Sequence, residues 1–187
     1  MNMEKITKWL AVIAILGGIT RIGMAPSAVI WGTDSIQELL FGFTACVLMG
    51  IGIFGVYQYQ AHRMGAAGFV SVLFIAASST LTAGLVWSTM LGVTAEEHRY
   101  VGPMQSVNSL LALVGMLIFC YLTVRARIYP VWTVVLFLLF PVLSFIPLVS
   151  NYATVVWGLS YIGFGYYAFA GRTVKNPSQF EDRAITA

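Results

Sequence analysis

Charge is scarce in this chain: 9% of its 187 residues are Asp, Glu, Lys or Arg, while 59% are hydrophobic. A soluble globular domain carries about 25% charged residues, so a soluble fold is excluded, and the mean hydropathy of +0.85 agrees. Cysteine is almost as scarce. The two present, Cys46 and Cys120, fall at different expected depths, which argues against a disulfide and leaves them as small packing residues. The two histidines, His62 and His98, fall on opposite sides of the expected membrane and cannot share a metal or a haem within one subunit. There is no His-Glu-x-x-His pair, Gly-x-Ser-x-Gly elbow, Gly-rich phosphate loop or Cys-x-x-Cys pair. The chain therefore announces no enzyme class, and no cofactor or metal is expected. Its net charge of +3 and pI near 9.0 arise from scattered loop residues, without the dense basic run that nucleic acid demands.

What the chain does have is a succession of long apolar stretches. Six spans are expected, at about 8–31, 37–58, 66–93, 104–124, 129–149 and 152–171, each close to the roughly 20 residues needed to cross a bilayer. Helices are the economical reading of stretches this long, because lipid offers backbone groups no partner. A closed barrel would need alternating segments of about 10 residues, which are absent. The expected fold is all-α: one polytopic domain over residues 1–187, a bundle of six transmembrane helices with short connections.

Lys5, Lys8, Arg63, Arg125, Arg127, Arg172, Lys175 and Arg183 fall on one expected side, while Asp34, Glu38, Glu96, Glu97 and the single basic residue Arg99 fall on the other. The positive-inside rule then puts both termini in the cytoplasm, across a bacterial-type inner membrane. Trp9 and Trp132 are expected near the inner interface, and Trp31, Trp87 and Trp157 toward the outer one. Lys5, Lys8, an apolar core and Ala25-Pro26-Ser27 also outline a secretory signal peptide. A charge within that core, and an inside-positive alternation that depends on this span, favour a retained helix. Tyr57, Tyr121 and Tyr166 each stand six residues before an arginine, as an interfacial aromatic followed by a basic stop would.

That charge is Arg21, the only formally charged residue in the interior of the six stretches, since Lys8 and Glu38 sit at span ends. A charge at such depth costs at least about 2.5 to 3.5 kcal/mol and is kept where something compensates it. Ala11, Ala14, Gly18, Arg21, Ala25 and Ala28 are spaced three, four, three, four and three, one stripe of a helix. Small-residue stripes let helices approach closely in lipid, so this face is expected to meet protein. Grooves at Gly42, Cys46 and Gly50 and at Ala76, Thr80, Gly84 and Ser88 make the second and third spans its expected partners. The outer acidic residues are expected to lie about 15 Å or more from Arg21 by helical rise, so no internal ion pair is foreseen.

Pro26, Pro141 and Pro147 at similar depth bend helices and leave room for a cavity. Its expected ligand residues are Arg21, Thr44, Trp87, Ser88, Asn108, Ser144 and Tyr161. Three readings follow. The first is a non-enzymatic protein binding an anionic or amphipathic small molecule or lipid near Arg21, as a transporter subunit or receptor. The second is an accessory subunit or homo-oligomer that presents the first helix to a membrane partner. The third and least favoured is an enzyme at the outer interface using Glu96, Glu97 and His98. The size and six-span topology resemble the substrate-binding subunits of energy-coupling-factor vitamin transporters. That resemblance implies a membrane-embedded binding protein whose small-residue face on the first helix, here Ala14 and Gly18, touches a transport partner.

Overall fold

In a computed structural model of the chain, residues 3–93, 98–146 and 149–171 are described, Ser150 and Asn151 by their backbone alone. Among them there are five α-helices and no strand: α1 (Met3–Trp31), α2 (Ile36–Met90), α3 (Val101–Ala126), α4 (Val131–Ser144) and α5 (Ser150–Ala170). The all-helical class is as expected, but five helices stand where six were anticipated. Three of them, α1, α2 and α3, are long and apolar enough to cross a membrane, with mean hydropathies of 1.6, 2.3 and 2.1.

The difference lies in α2, whose 55 residues take in both the second and third expected spans. The connection anticipated at 59–65 is helical up to Gly65, because Gln60, Ala61, His62, Arg63 and Met64 include no helix breaker. Gly65 alone interrupts the helix, with φ 60° and ψ −155°, a region essentially reserved for glycine. There the chain doubles back. Phe43 meets Trp87 with ring centroids 5.7 Å apart, Tyr57 meets Phe69 at 5.9 Å, and Gly50 abuts Ser79. The two runs of α2 therefore lie antiparallel, and the Tyr57 hydroxyl donates to the Gly65 carbonyl at 3.1 Å across the turn.

The helix α4 also departs from expectation, covering 14 residues and not the whole of 129–149. Pro130 stands at its N-cap and Phe145 at its C-cap, so both ends fall short of the expected span. At 1.5 Å per residue it spans about 21 Å, less than a hydrocarbon core of about 30 Å. In α3, Pro103 sits in the first turn, where its missing donor costs nothing.

Around the bundle the order is α4, α5, α1, the first run of α2, its second run, then α3, with α3 and α4 touching only lightly. The shared core is aromatic: Phe119 of α3, Phe137 of α4 and Phe164 of α5 meet edge to face at 5.9 to 6.1 Å. Such contacts add about 0.5 to 1.5 kcal/mol each beyond area burial. Three cross-links mark one end of the bundle. Thr7 donates to Gln58 Oε1 at 3.1 Å, Arg63 to the Ala126 carbonyl at 3.2 Å and the Tyr129 hydroxyl to the Val56 carbonyl at 3.0 Å. Lys8, Arg63, Arg125 and Arg127 thus gather at that end, with Asp34 and Glu38 at the other.

Candidate functional site

Glycine positions the site. A Cβ on Gly18 of α1 would lie 2.5 Å from the Gly158 carbonyl oxygen of α5, and one on Gly158 would lie 2.5 Å from the Gly18 oxygen. The absence of a Cβ on both lets the two backbones touch. Gly165 meets Ala11 in the same manner, so a seven-residue spacing on α5 matches Ala11 and Gly18 on α1. The contact carries Trp157, the neighbour of Gly158, onto Arg21.

Arg21 is 7% exposed, three turns from the end of α1. Its guanidinium carbon lies 4.4 Å from the Trp157 ring centroid, and Nη1 approaches Cys46 Sγ of α2 at 3.9 Å. Both are modest interactions: sulfur is a weak acceptor, and a desolvated cation–π contact contributes about 2 kcal/mol. Among the described residues no carboxylate lies within ion-pair distance of Arg21. Glu38 acts on it electrostatically from farther off, while its carboxylate accepts the Asp34 amide at 2.8 Å.

Three buried donors around this point have no acceptor: Arg21 Nε, Trp157 Nε1 and the Tyr161 hydroxyl. Tyr161 is fully buried one turn beyond Trp157, the two rings 6.5 Å apart. A buried donor left unpaired costs about 1 to 3 kcal/mol. These buried side chains, termed the Arg21 chamber, form an electropositive cluster short of acceptors, which suits an anion. Among the described residues it holds no nucleophile paired with a base.

Beside the chamber is a cavity of about 310 Å³, walled by the second run of α2, by α3 and by α4, with Trp157 at its back. Its surface is apolar apart from hydroxyls such as Ser78, Ser79 and Thr82. Phe140, another wall residue, stacks on Trp157 with centroids 4.1 Å apart and planes at 22°. Two groups that close to one ring must occupy opposite faces, so the indole stands between the cavity and the guanidinium.

The expected ligand residues do not form one site. Arg21 and Tyr161 share the chamber, and Ser144 lines the cavity with its hydroxyl donating to the Phe140 carbonyl at 2.9 Å. Asn108 stands behind the cavity wall, accepting from Ser78 at 2.7 Å and donating to Thr82 at 3.0 Å. Ser88 donates to the Gly84 carbonyl within its own helix, Thr44 is exposed, and Trp87 is 53% exposed. Trp157, expected in an outer interfacial belt, is instead the contact of Arg21. Cys46 was anticipated as packing alone, and nothing but the glycine spacing on α5 pointed to Trp157.

All six stripe residues, Ala11, Ala14, Gly18, Arg21, Ala25 and Ala28, are buried. Their partners are the first run of α2, where Gly52 abuts Ala14, and α5. The groove anticipated at Ala76, Thr80, Gly84 and Ser88 is not the partner of α1: Thr80 is exposed and Gly84 faces Met104 of α3. Glu96, Glu97 and Pro147 lie outside the described residues, as do Arg172, Lys175 and Arg183; His98 is exposed. Among the described residues no three His, Cys, Asp or Glu side chains come together. No protein family, curated protein or solved structure matches the chain, so the expected likeness to vitamin-transporter subunits finds no support.

Proposed function

We propose that this is a non-enzymatic integral membrane protein that binds an anionic or amphipathic molecule beside Arg21, as a transporter subunit or a receptor. The observation that carries this reading is a buried guanidinium without an ion-pair partner among the described residues, its own Nε unsatisfied beside two further unsatisfied donors, Trp157 Nε1 and the Tyr161 hydroxyl. An anion completes all of them at once, and no neutral ligand offsets the charge. On this reading the two runs of α2 count as separate crossings and, with α1, α3, α5 and the short α4, make up the six that were expected. The basic end of the bundle then faces the cytoplasm of a bacterial-type inner membrane. On that reading α1 begins, and α5 ends, on the cytoplasmic side, since Gly165 packs near Ala11.

Thermal stabilisation of the purified protein by a panel of anionic metabolites and lipids, compared with Arg21→Gln, tests the proposal. A ligand that binds the folded but not the unfolded chain raises the midpoint, so the wild type gains stability from its ligand and the variant does not. An identical profile in both proteins removes the reading. The accessory-subunit alternative is weaker, because the small-residue face it needs is covered by α2 and α5 of the same chain.

A further inference from the structure

The cavity and the Arg21 chamber share Trp157 as a wall, and three properties of that arrangement narrow the ligand. The first is charge. The chamber holds one cation, and in a low-dielectric site a second negative charge on the ligand would go uncompensated; a monoanion leaves the pair neutral. The second is shape. About 310 Å³ lies at the small end of ligand pockets, about 300 to 1,000 Å³, and equals about ten water-sized volumes, which suits one chain of about that many methylenes.

The third is access. Leu113 of α3 and Phe145, just past α4, line the cavity and are also 48% and 86% exposed on the outside of the bundle. The cavity therefore opens sideways, between the two neighbouring helices that touch most lightly. In a membrane that side faces hydrocarbon, so a ligand enters from the bilayer. The indole between the cavity and the guanidinium makes ring contacts and no hydrogen bond through Nε1, so it is the group that would have to yield for a head to reach Arg21.

We infer that the ligand is a single-chain monoanionic amphipath dissolved in the bilayer, a fatty-acid-type monocarboxylate, with its chain in the cavity and its carboxylate on Arg21, Trp157 and Tyr161. This rests on the reading above that Arg21 holds the anion.

The test uses the full chain in nanodiscs of phosphatidylcholine, with thermal unfolding followed in the presence of dodecanoate, its methyl ester, acetate or inorganic phosphate, and separately in nanodiscs containing phosphatidylglycerol. Dodecanoate is expected to raise the midpoint by several degrees in the wild type, and the ester is not. The shift is lost in Arg21→Gln, which removes the charge, and in Ala112→Phe, which fills the cavity from α3. A brominated dodecanoate is expected to quench tryptophan fluorescence, and Trp157→Phe to abolish most of that quenching; this readout stands if Ala112→Phe fails to fold.

A dodecanoate shift that persists in Ala112→Phe but not in Arg21→Gln overturns the inference and leaves the anion-binding reading intact. Stabilisation by acetate or phosphate alone, or by phosphatidylglycerol alone, does the same. Equal shifts from acid and ester, unaffected by Arg21→Gln, overturn both, as does a complete absence of stabilisation.

Discussion

The guanidinium carbon of Arg21 lies 4.4 Å from the centroid of the Trp157 ring, whose other face is stacked on Phe140 at 4.1 Å. One side chain thus separates a charged, acceptor-poor chamber from an apolar cavity, and it does so without a hydrogen bond of its own. The stability of the surrounding helices and the properties of the site are coupled through it.

Replacing Trp157 separates its roles. Phe keeps a ring between Arg21 and Phe140 but is a poorer cation–π partner, so Trp157→Phe is expected to cost about 1 to 2 kcal/mol. Ala removes the ring that stands between the guanidinium and the cavity, at about 3 to 5 kcal/mol. Unfolding in mixed micelles at increasing denaturing detergent measures both. Wild-type stability in Trp157→Phe would show that the indole's contact with Arg21 contributes nothing.

The backbone contact of α1 with α5 predicts an asymmetry among glycines. Gly18→Leu forces the helices apart, because even a Cβ would meet the Gly158 oxygen at 2.5 Å. By contrast, a Cβ on Gly84 meets only the terminal methyl of Met104, at 3.3 Å, which a flexible side chain can withdraw. Gly18→Leu is therefore expected to lose the monodisperse folded species on size exclusion, while Gly84→Ala elutes and melts like the wild type.

Gly65→Ala probes the hairpin turn of α2. Its φ of 60° with ψ of −155° costs any L-residue about 1 to 3 kcal/mol, and the thermal midpoint falls accordingly. Asn brings no rescue, although it tolerates left-handed helical backbone, because that region requires ψ near +45°. A wild-type midpoint for Gly65→Asn would place the reversal elsewhere.

Asn108 ties α3 to the second run of α2 through Ser78 and Thr82. Interhelical hydrogen bonds in membrane proteins average about 0.6 kcal/mol, so Asn108→Leu is expected to cost about 1 kcal/mol. In a double-mutant cycle Ser78→Ala adds less on the Asn108→Leu background than on the wild type. Strict additivity would mean that the hydrogen bond contributes nothing to stability.

Composition and hydropathy alone determined the all-helical class and the membrane-compatible character of the chain, because scarce charge and long apolar stretches leave lipid-exposed backbone no other solution. The stripe through Ala11, Gly18 and Arg21 was legible for a similar reason: helical spacing is local, and small residues on one face announce a close contact. What that face touches was not legible. The choice of α5 over the third expected span depends on Gly158 and Gly165 meeting Gly18 and Ala11 across more than a hundred residues, and no local pattern encodes such pairing. The same contact moved Trp157 from an expected interfacial belt to the side of Arg21, and Tyr161 with it. Tertiary structure also divided the anticipated site in two. Depth along a helix can be counted from sequence, but which way a side chain faces around the bundle is set by the order of its neighbours, and that order placed Asn108 and Ser144 across the indole from the charge they were expected to share.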